Sequence, residues 1–231
     1  MNLSNLRAVI FDMDGLLVDS ERLAHLALIQ TASAFGTIPD PKVFTRMIGL
    51  PEDGSIDLLK RHYGPDFPAE RFIREAAITC EALVDSDRLA LKKGAAELLD
   101  ALESSGVPKG VATSSSRTKA MHTLTKVHLA DRFEVIVTRT EVQNGKPRPD
   151  LYLRAAHELG FAVDRCIALE DSYNGVRAAH AAGMRVIMVP DLLCPTAEIE
   201  ELSEAVAKDL CAVLDVFVNS GLVLQHAACA S

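Results

Sequence analysis

The stretch AVIFDMDGLLVDSE, residues 8–21, ends an apolar run in two carboxylates two positions apart, Asp12 and Asp14, followed at once by Gly15. Two like charges about 4 Å apart repel by ~4 kcal/mol at an effective dielectric of roughly 20, so acids placed this way need a positive partner. Further along, VATSSS carries Thr113, Ser114 and Ser115, NGKPRPD carries Lys146, and CIALED closes on Glu170 and Asp171. Each group lies at or just beyond the end of a short, β-branched-rich run: 7–11, 108–113, 133–138 and 165–170. In a parallel sheet the carboxyl ends of the strands share one edge, and ligands gather outside it. The spacing therefore predicts four carboxylates, a hydroxyl cluster and one lysine on a single edge.

That set suits a divalent cation with hard oxygen ligands. Mg²⁺ fits best, since it takes one or two carboxylates, several waters and a substrate phosphate. Asp12, at the strand tip, is placed to attack phosphorus as a carboxylate nucleophile. Asp14 lies on the same side of an extended chain. It can protonate a leaving alcohol and then deprotonate an attacking water. The edge stays net negative even with the cation, so Asp14 is expected to carry a proton when a phosphate dianion binds. Gly15 lets the backbone turn away, and Thr113 with the NH groups at Ser114 and Ser115 can hold phosphoryl oxygens. Lys146 offsets charge on those oxygens in the transition state, and Asp171 with Glu170 anchors the metal. Taken singly, each signal has a plainer meaning: a turn, a helix cap, a loop or a surface charge. Their order, each behind a strand-like run, makes the joint reading specific.

The elements that must position these residues follow from the apolar pattern. A fifth strand-like run covers 185–190. Helical stripes fill 94–106, 116–129, 149–160 and 171–183, three of them ending at a glycine. Strand–helix alternation of this kind implies an α/β fold with a parallel, doubly wound sheet. The first strand breaks the rhythm. Residues 20–36, 51–64 and 68–86 all read as helices, with Pro51 and Pro68 suited to first turns. A helical block is thus inserted between the first strand and the next strand–helix unit. The apolar, small-residue end, 219–231, reads as a tail packed on the core or on a partner.

The chain has 231 residues, enough for a substantial core, and a net charge of -8 with a pI near 5.4. An acidic balance argues against nucleic acid or an anionic membrane as partner. The five cysteines (Cys80, Cys166, Cys194, Cys211 and Cys229) form no CxxC pair and read as free thiols in a reducing compartment. No segment approaches the ~20 apolar residues of a membrane span, and no signal peptide is recognisable. The expectation is a soluble cytoplasmic protein.

With these residues in view, the sequence resembles the haloacid dehalogenase-like superfamily, in its phosphatase and phosphomutase branch. FDMDGLLVDSE looks like the first motif of that family, VATSSS the second, NGKPRPD the third and ALEDSYNGVRAAHAAGM the fourth. The resemblance implies a Rossmann-like core, residues 1–17 and 89–231, with an all-helical cap at 18–88. It implies Mg²⁺ held by Asp12, the backbone carbonyl of Asp14, and Asp171, and a phospho-aspartyl intermediate on Asp12 that is hydrolysed with help from Asp14. The dehalogenases of the superfamily lack the second aspartate, so Asp14 points to phosphate. Lys93-Gly94 replaces the Pro-Gly of many members where the cap returns to the core. Mutases similar to this chain present a lysine and an arginine to a second phosphate, where Ile48 and Glu52 stand here. A phosphatase of a small phosphomonoester, a sugar phosphate or a nucleoside-type phosphate, is therefore favoured over a β-phosphoglucomutase-like enzyme. A phospho-aspartate signalling receiver is a distant alternative, since receivers are shorter and lack the second acid. Arg22, His25, Arg46 and Glu52 are cap candidates for contact with the leaving group, each equally readable as a polar helix face. Monomer and homodimer both stay open.

Overall fold

Five of the strands are short apolar runs without alternation, as strands covered on both faces require. In the structure, a computed structural model, they are β1 (Ala8–Phe11), β2 (Lys109–Thr113), β3 (Val135–Thr138), β4 (Cys166–Glu170) and β5 (Arg185–Met188), with a two-residue β6 (Ala205–Val206) at the edge. Residues 3, 5–48, 50 and 52–224 are described. Pro51 and tail residues 225–231, for which the sequence carries expectations, lie outside them. All pairings are parallel, and the strand order is β3-β2-β1-β4-β5-β6. The chain moves outward from β1 to β3, then returns to lay β4 on the other side of β1. The order therefore reverses between β1 and β4, which opens a crevice beyond their carboxyl ends.

The chain divides into two compact units, 1–18 with 91–231, and 19–90. In the first, α7 (Asp150–Leu159) and α8 (Tyr173–Ala181) cover one face of the sheet. Ala8 and Ile10 of β1 join Leu151, Tyr152, Ala155, Val176 and Ala179 in that core. Val9 and Phe11, of opposite parity, point to the other face. There, α5 (Ala95–Ser104) packs against α10 (Leu210–Asn219). The helix α6 (Arg117–Lys126) meets β3, and α9 (Ala197–Leu202) packs on α8, where Ile199 joins the core of the first face. The predicted helices at 94–106, 116–129, 149–160 and 171–183 are present, trimmed at their ends. The sequence reading assigned nothing to α9, β6 or α10, all of which lie in 191–219.

The second unit is helical throughout: α1 (Ser20–Ala34), α2 (Pro41–Thr45), α3 (Glu52–Tyr63), α4 (Ala69–Leu83) and a π-helical turn at Val84–Arg88. Its core is a ring cluster of Phe44, Phe67 and Phe72 with Leu59, Val43 and Ala32, and Phe35 meets Phe72 edge-on at 5.5 Å. Pro68 stands immediately before α4. Among the described residues no helix is long and apolar enough to cross a membrane. Cys80, Cys166 and Cys194 are free thiols. Cys211 is disulfide-bonded, which corrects the expectation of a free thiol there.

The chain leaves the first unit at Val18 and returns at Leu91, and these two residues pair in an antiparallel bridge. Just beyond, Gly94 has φ +87, and a Cβ on it would lie 2.3 Å from the backbone nitrogen of Cys211. Only glycine meets both demands, whatever residue precedes it. Replacing Gly94 with alanine adds a left-handed backbone penalty to an overpacked contact, so urea unfolding is expected to show a loss of roughly 2–4 kcal/mol. An unchanged midpoint would contradict this account of the return.

Candidate active site

Asp12 follows β1 and keeps its register: its NH donates to the carbonyl of Leu169 at 3.0 Å. It therefore sits beside the end of β4, at the crevice where the strand order reverses. Glu170 is the last residue of β4 and is wholly buried. Between the two carboxylates stands Lys146, whose Nζ lies 2.5 Å from Asp12 Oδ1 and 2.5 Å from Glu170 Oε1. The lysine is brought there by the loop after β3, in which the Lys146–Pro147 peptide bond is cis.

Burial is the largest influence on Asp12 and raises its pKa from 3.8 to about 8; the charges of Glu170 and Asp14 add to this, and Lys146 opposes it. Burial alone would lower the pKa of Lys146, but Asp12 and Glu170 together raise it above the ordinary lysine value. One ammonium ion thus serves two buried carboxylates, and the group remains deficient in positive charge. A bound cation would supply it and favour ionised Asp12.

Glu170 is saturated with donors. Oε1 accepts from Lys146 and from the Tyr152 hydroxyl at 2.6 Å. Oε2 accepts from the NH groups of Asp171 and Ser172 and from the Ser172 hydroxyl. Ser172 is also the N-cap of α8, receiving the Gly175 NH. Glu170 is thereby seated at a helix N-terminus, where negative charge is favoured. A Cβ on Gly175 would lie 1.8 Å from the Glu170 carboxylate, so the absence of a side chain there makes room for it. Tyr152, on the inner face of α7, is fully buried, and its ring centroid lies 5.1 Å from Lys146 Nζ. Burial and then the Glu170 charge push the Tyr152 phenol well above 10, which keeps it a donor.

The other predicted residues reach the same edge. Asp14 Oδ2 accepts from the Ser115 hydroxyl at 2.7 Å. Thr113, at the end of β2, is buried, and its Oγ1 accepts the Ser115 NH at 3.0 Å. Ser114 is exposed between them. Gly15 has φ +82, and a Cβ there would stand 2.3 Å from Asp171 Oδ2. Its role is thus wider than turning the chain: it leaves space for Asp171. In the helical unit, Arg22 is tied to Asp19 at 2.7 Å and to the Arg88 carbonyl, and His25 Nε2 lies 3.2 Å from the Pro41 carbonyl.

Carboxylate oxygens of Asp12, Glu170 and Asp171 lie within 4.8 Å of one another. This spacing and the hard oxygen donors fit a magnesium ion. Because Glu170 spends both oxygens on protein donors, Asp12 and Asp171 are the pair better able to turn toward a metal.

In the sequence, three further residues do not stand out. Tyr152 reads there as one more apolar position of a helix stripe. Lys92 Nζ contacts Asp191 Oδ1 at 2.6 Å, and Asp191 lies just past β5. The predicted run at 185–190 ends one residue before Asp191, so the same strand-tip rule points to this residue too.

The chain belongs to the haloacid dehalogenase-like hydrolase family, whose model matches residues 9–189. It is 35% identical to a probable pseudouridine-5'-phosphatase of Drosophila melanogaster, over 79% of this chain and 80% of the relative. It is 31% identical to hexitol phosphatase B of Escherichia coli K12, over 88% of this chain and 96% of the relative. Among solved structures, a family hydrolase from Deinococcus radiodurans with bound phosphate and sodium superposes with a TM-score of 0.82. It is 27% identical and covers 96% of this chain and 99% of its own.

The Tyr152 hydroxyl donates to a buried carboxyl group that is ion-paired with Lys146, and hydrogen bonds to charged groups contribute about 1.5–3 kcal/mol. Tyr152→Phe is expected to lower unfolding free energy by about that amount in urea titrations. A variant as stable as the parent would show that the phenol does not support Glu170.

Proposed function

We propose that this protein is a Mg²⁺-dependent phosphatase of a small phosphomonoester, acting through a phospho-aspartyl intermediate on Asp12. The observation that carries this reading is the buried Asp12 at the tip of β1, clamped by Lys146 and flanked by Asp171, with Asp14 held by Ser115 on the same sheet edge. Family membership supports the reaction class. The names of the two relatives, a pseudouridine-5'-phosphatase and a hexitol phosphatase, support a polyol, sugar or nucleoside-type monophosphate as substrate.

The metal would be held by the side chains of Asp12 and Asp171 with the Asp14 carbonyl, and when bound it supplies positive charge to the phosphoryl oxygens and to Asp12. An oxygen of Asp12 attacks phosphorus and the bond from phosphorus to the ester oxygen breaks. The proton required by the departing alkoxide comes from Asp14. Asp14 then removes a proton from water, whose oxygen attacks phosphorus, and the bond to Asp12 breaks to release phosphate. The Ser115 hydroxyl holds the Asp14 carboxyl for both transfers. Lys146 has three N–H donors, two of them committed to Asp12 and Glu170, which leaves one for a phosphoryl oxygen. Glu170 and Tyr152 fix that ammonium in place. Thr113, with the NH groups of Ser114 and Ser115, is the remaining set of donors at the edge. The helical unit, in this reading, is the cap that selects the leaving group.

Repeated release of phosphate from p-nitrophenyl phosphate with Mg²⁺, lost on chelation with EDTA, is the expected result. Release that stops at one equivalent would favour the signalling module instead. Asp12→Asn is expected to abolish turnover, and Asp14→Asn to lower it by about 10²–10⁴-fold. Full activity in the Asp12 variant would overturn the assignment. A panel of phosphorylated metabolites, assayed with and without glucose 1,6-bisphosphate, separates hydrolysis from isomerisation without phosphate release.

A further inference from the structure

Asp191 stands at the tip of β5, on the same sheet edge as Asp12, Glu170 and Asp171, and none of the roles above employs it. One of its oxygens is explained. Oδ1 receives Lys92 Nζ at 2.6 Å, with the two side chains 11% and 26% exposed. The other is not. Oδ2 is enclosed and has no hydrogen-bond partner. Leaving a buried carboxylate oxygen unpaired is costly, and such atoms in folded proteins ordinarily meet an ordered water or an ion.

The position of Oδ2 shows what it faces. A Cβ on Gly15 would lie 3.4 Å from Asp191 Oδ2 and 2.3 Å from Asp171 Oδ2. Both oxygens therefore border the same bare Cα in the loop after β1. Asp191 is nonetheless outside the trio whose oxygens fall within 4.8 Å of one another. It stands next to the group that can hold a cation without being part of it. A metal-bound water bridges such a gap: it is a donor, it is strongly polarised, and it accompanies Mg²⁺, which gives up its waters reluctantly. Lys92 offsets the charge of Asp191 from the Oδ1 side.

We propose that Asp191 is a positioning residue for the divalent cation, its Oδ2 accepting a hydrogen bond from a water on the Mg²⁺ held by Asp12 and Asp171, while Lys92 balances its charge through Oδ1. This rests on the metal-dependent reading above. Partners that orient ligands from outside the coordination sphere typically alter metal affinity 10–100-fold. The metal site thus reaches a third strand tip, that of β5.

Isothermal titration of Mg²⁺ into metal-free protein, without substrate, tests the idea. Asp191→Asn is expected to weaken Mg²⁺ binding by about 10-fold or more. Lys92→Met removes the same ion pair but keeps the acceptor oxygen, so its Mg²⁺ affinity is expected to be unchanged or tighter. Urea unfolding should show both variants losing similar stability. Wild-type affinity in the Asp191 variant, or equal weakening in both variants, would overturn the proposal and reduce the pair to structural support. If Asp191→Asn fails to fold, the double variant Lys92→Met/Asp191→Ala is compared with Lys92→Met alone, and the same 10-fold weakening is expected. Wild-type protein that takes up no Mg²⁺ would refute the metal-dependent reading itself, and the proposal with it.

Discussion

The structure turns on one ammonium ion shared by two buried acids. Lys146 could not remain charged at 4% exposure without Asp12 and Glu170, each 2.5 Å away. Removing one partner of a buried ion pair leaves a charge that the interior cannot solvate. The surrounding residues follow from that constraint. Glu170 must be immobile, so it is seated on the first NH groups of α8 and capped by the Tyr152 hydroxyl. Gly175 must lack a side chain because Glu170 fills the space. Asp12 must align with the end of β4, which the β1–β4 register ensures. The candidate site and a stable interior are here the same set of contacts.

The parts of this arrangement that were legible in the sequence are those governed by local pattern. Short apolar runs separated by helical stripes mark a parallel sheet. A parallel sheet places every strand tip on one side, and so Asp12, Thr113, Lys146, Glu170 and Asp171 could be placed together without coordinates. The division of labour among the acids could not. Glu170 and Asp171 are neighbours in the chain, yet Glu170 turns into the core toward Lys146 while Asp171 lies against the bare face of Gly15. That difference depends on side-chain direction at the end of β4, which spacing does not encode. Tyr152 was hidden for a related reason: an aromatic residue on a buried helix stripe looks the same whether its hydroxyl is incidental or holds an acid.

The late elements failed for other reasons. β6 has two residues, too few for periodicity to register, and α9 has six. Nearly every position of α10 is apolar, which blurs the stripe that marks a helix packed on one side. Lys92 and Asp191 are 99 residues apart in the chain. Nothing local to either predicts the other, and their pairing appears only once β5 takes its place beside β4.

The pairing of Val18 with Leu91 has a consequence for how such a chain can diversify. The helical stretch begins and ends at adjacent points, and the ends are joined by backbone pairing within the sheet-bearing unit. Closing a longer loop between fixed ends costs little more than closing a shorter one, because the entropy grows only with the logarithm of length. The intervening segment can therefore be lengthened, shortened or exchanged with little effect on strand register. What that segment contacts can thus change while the strand tips keep their places.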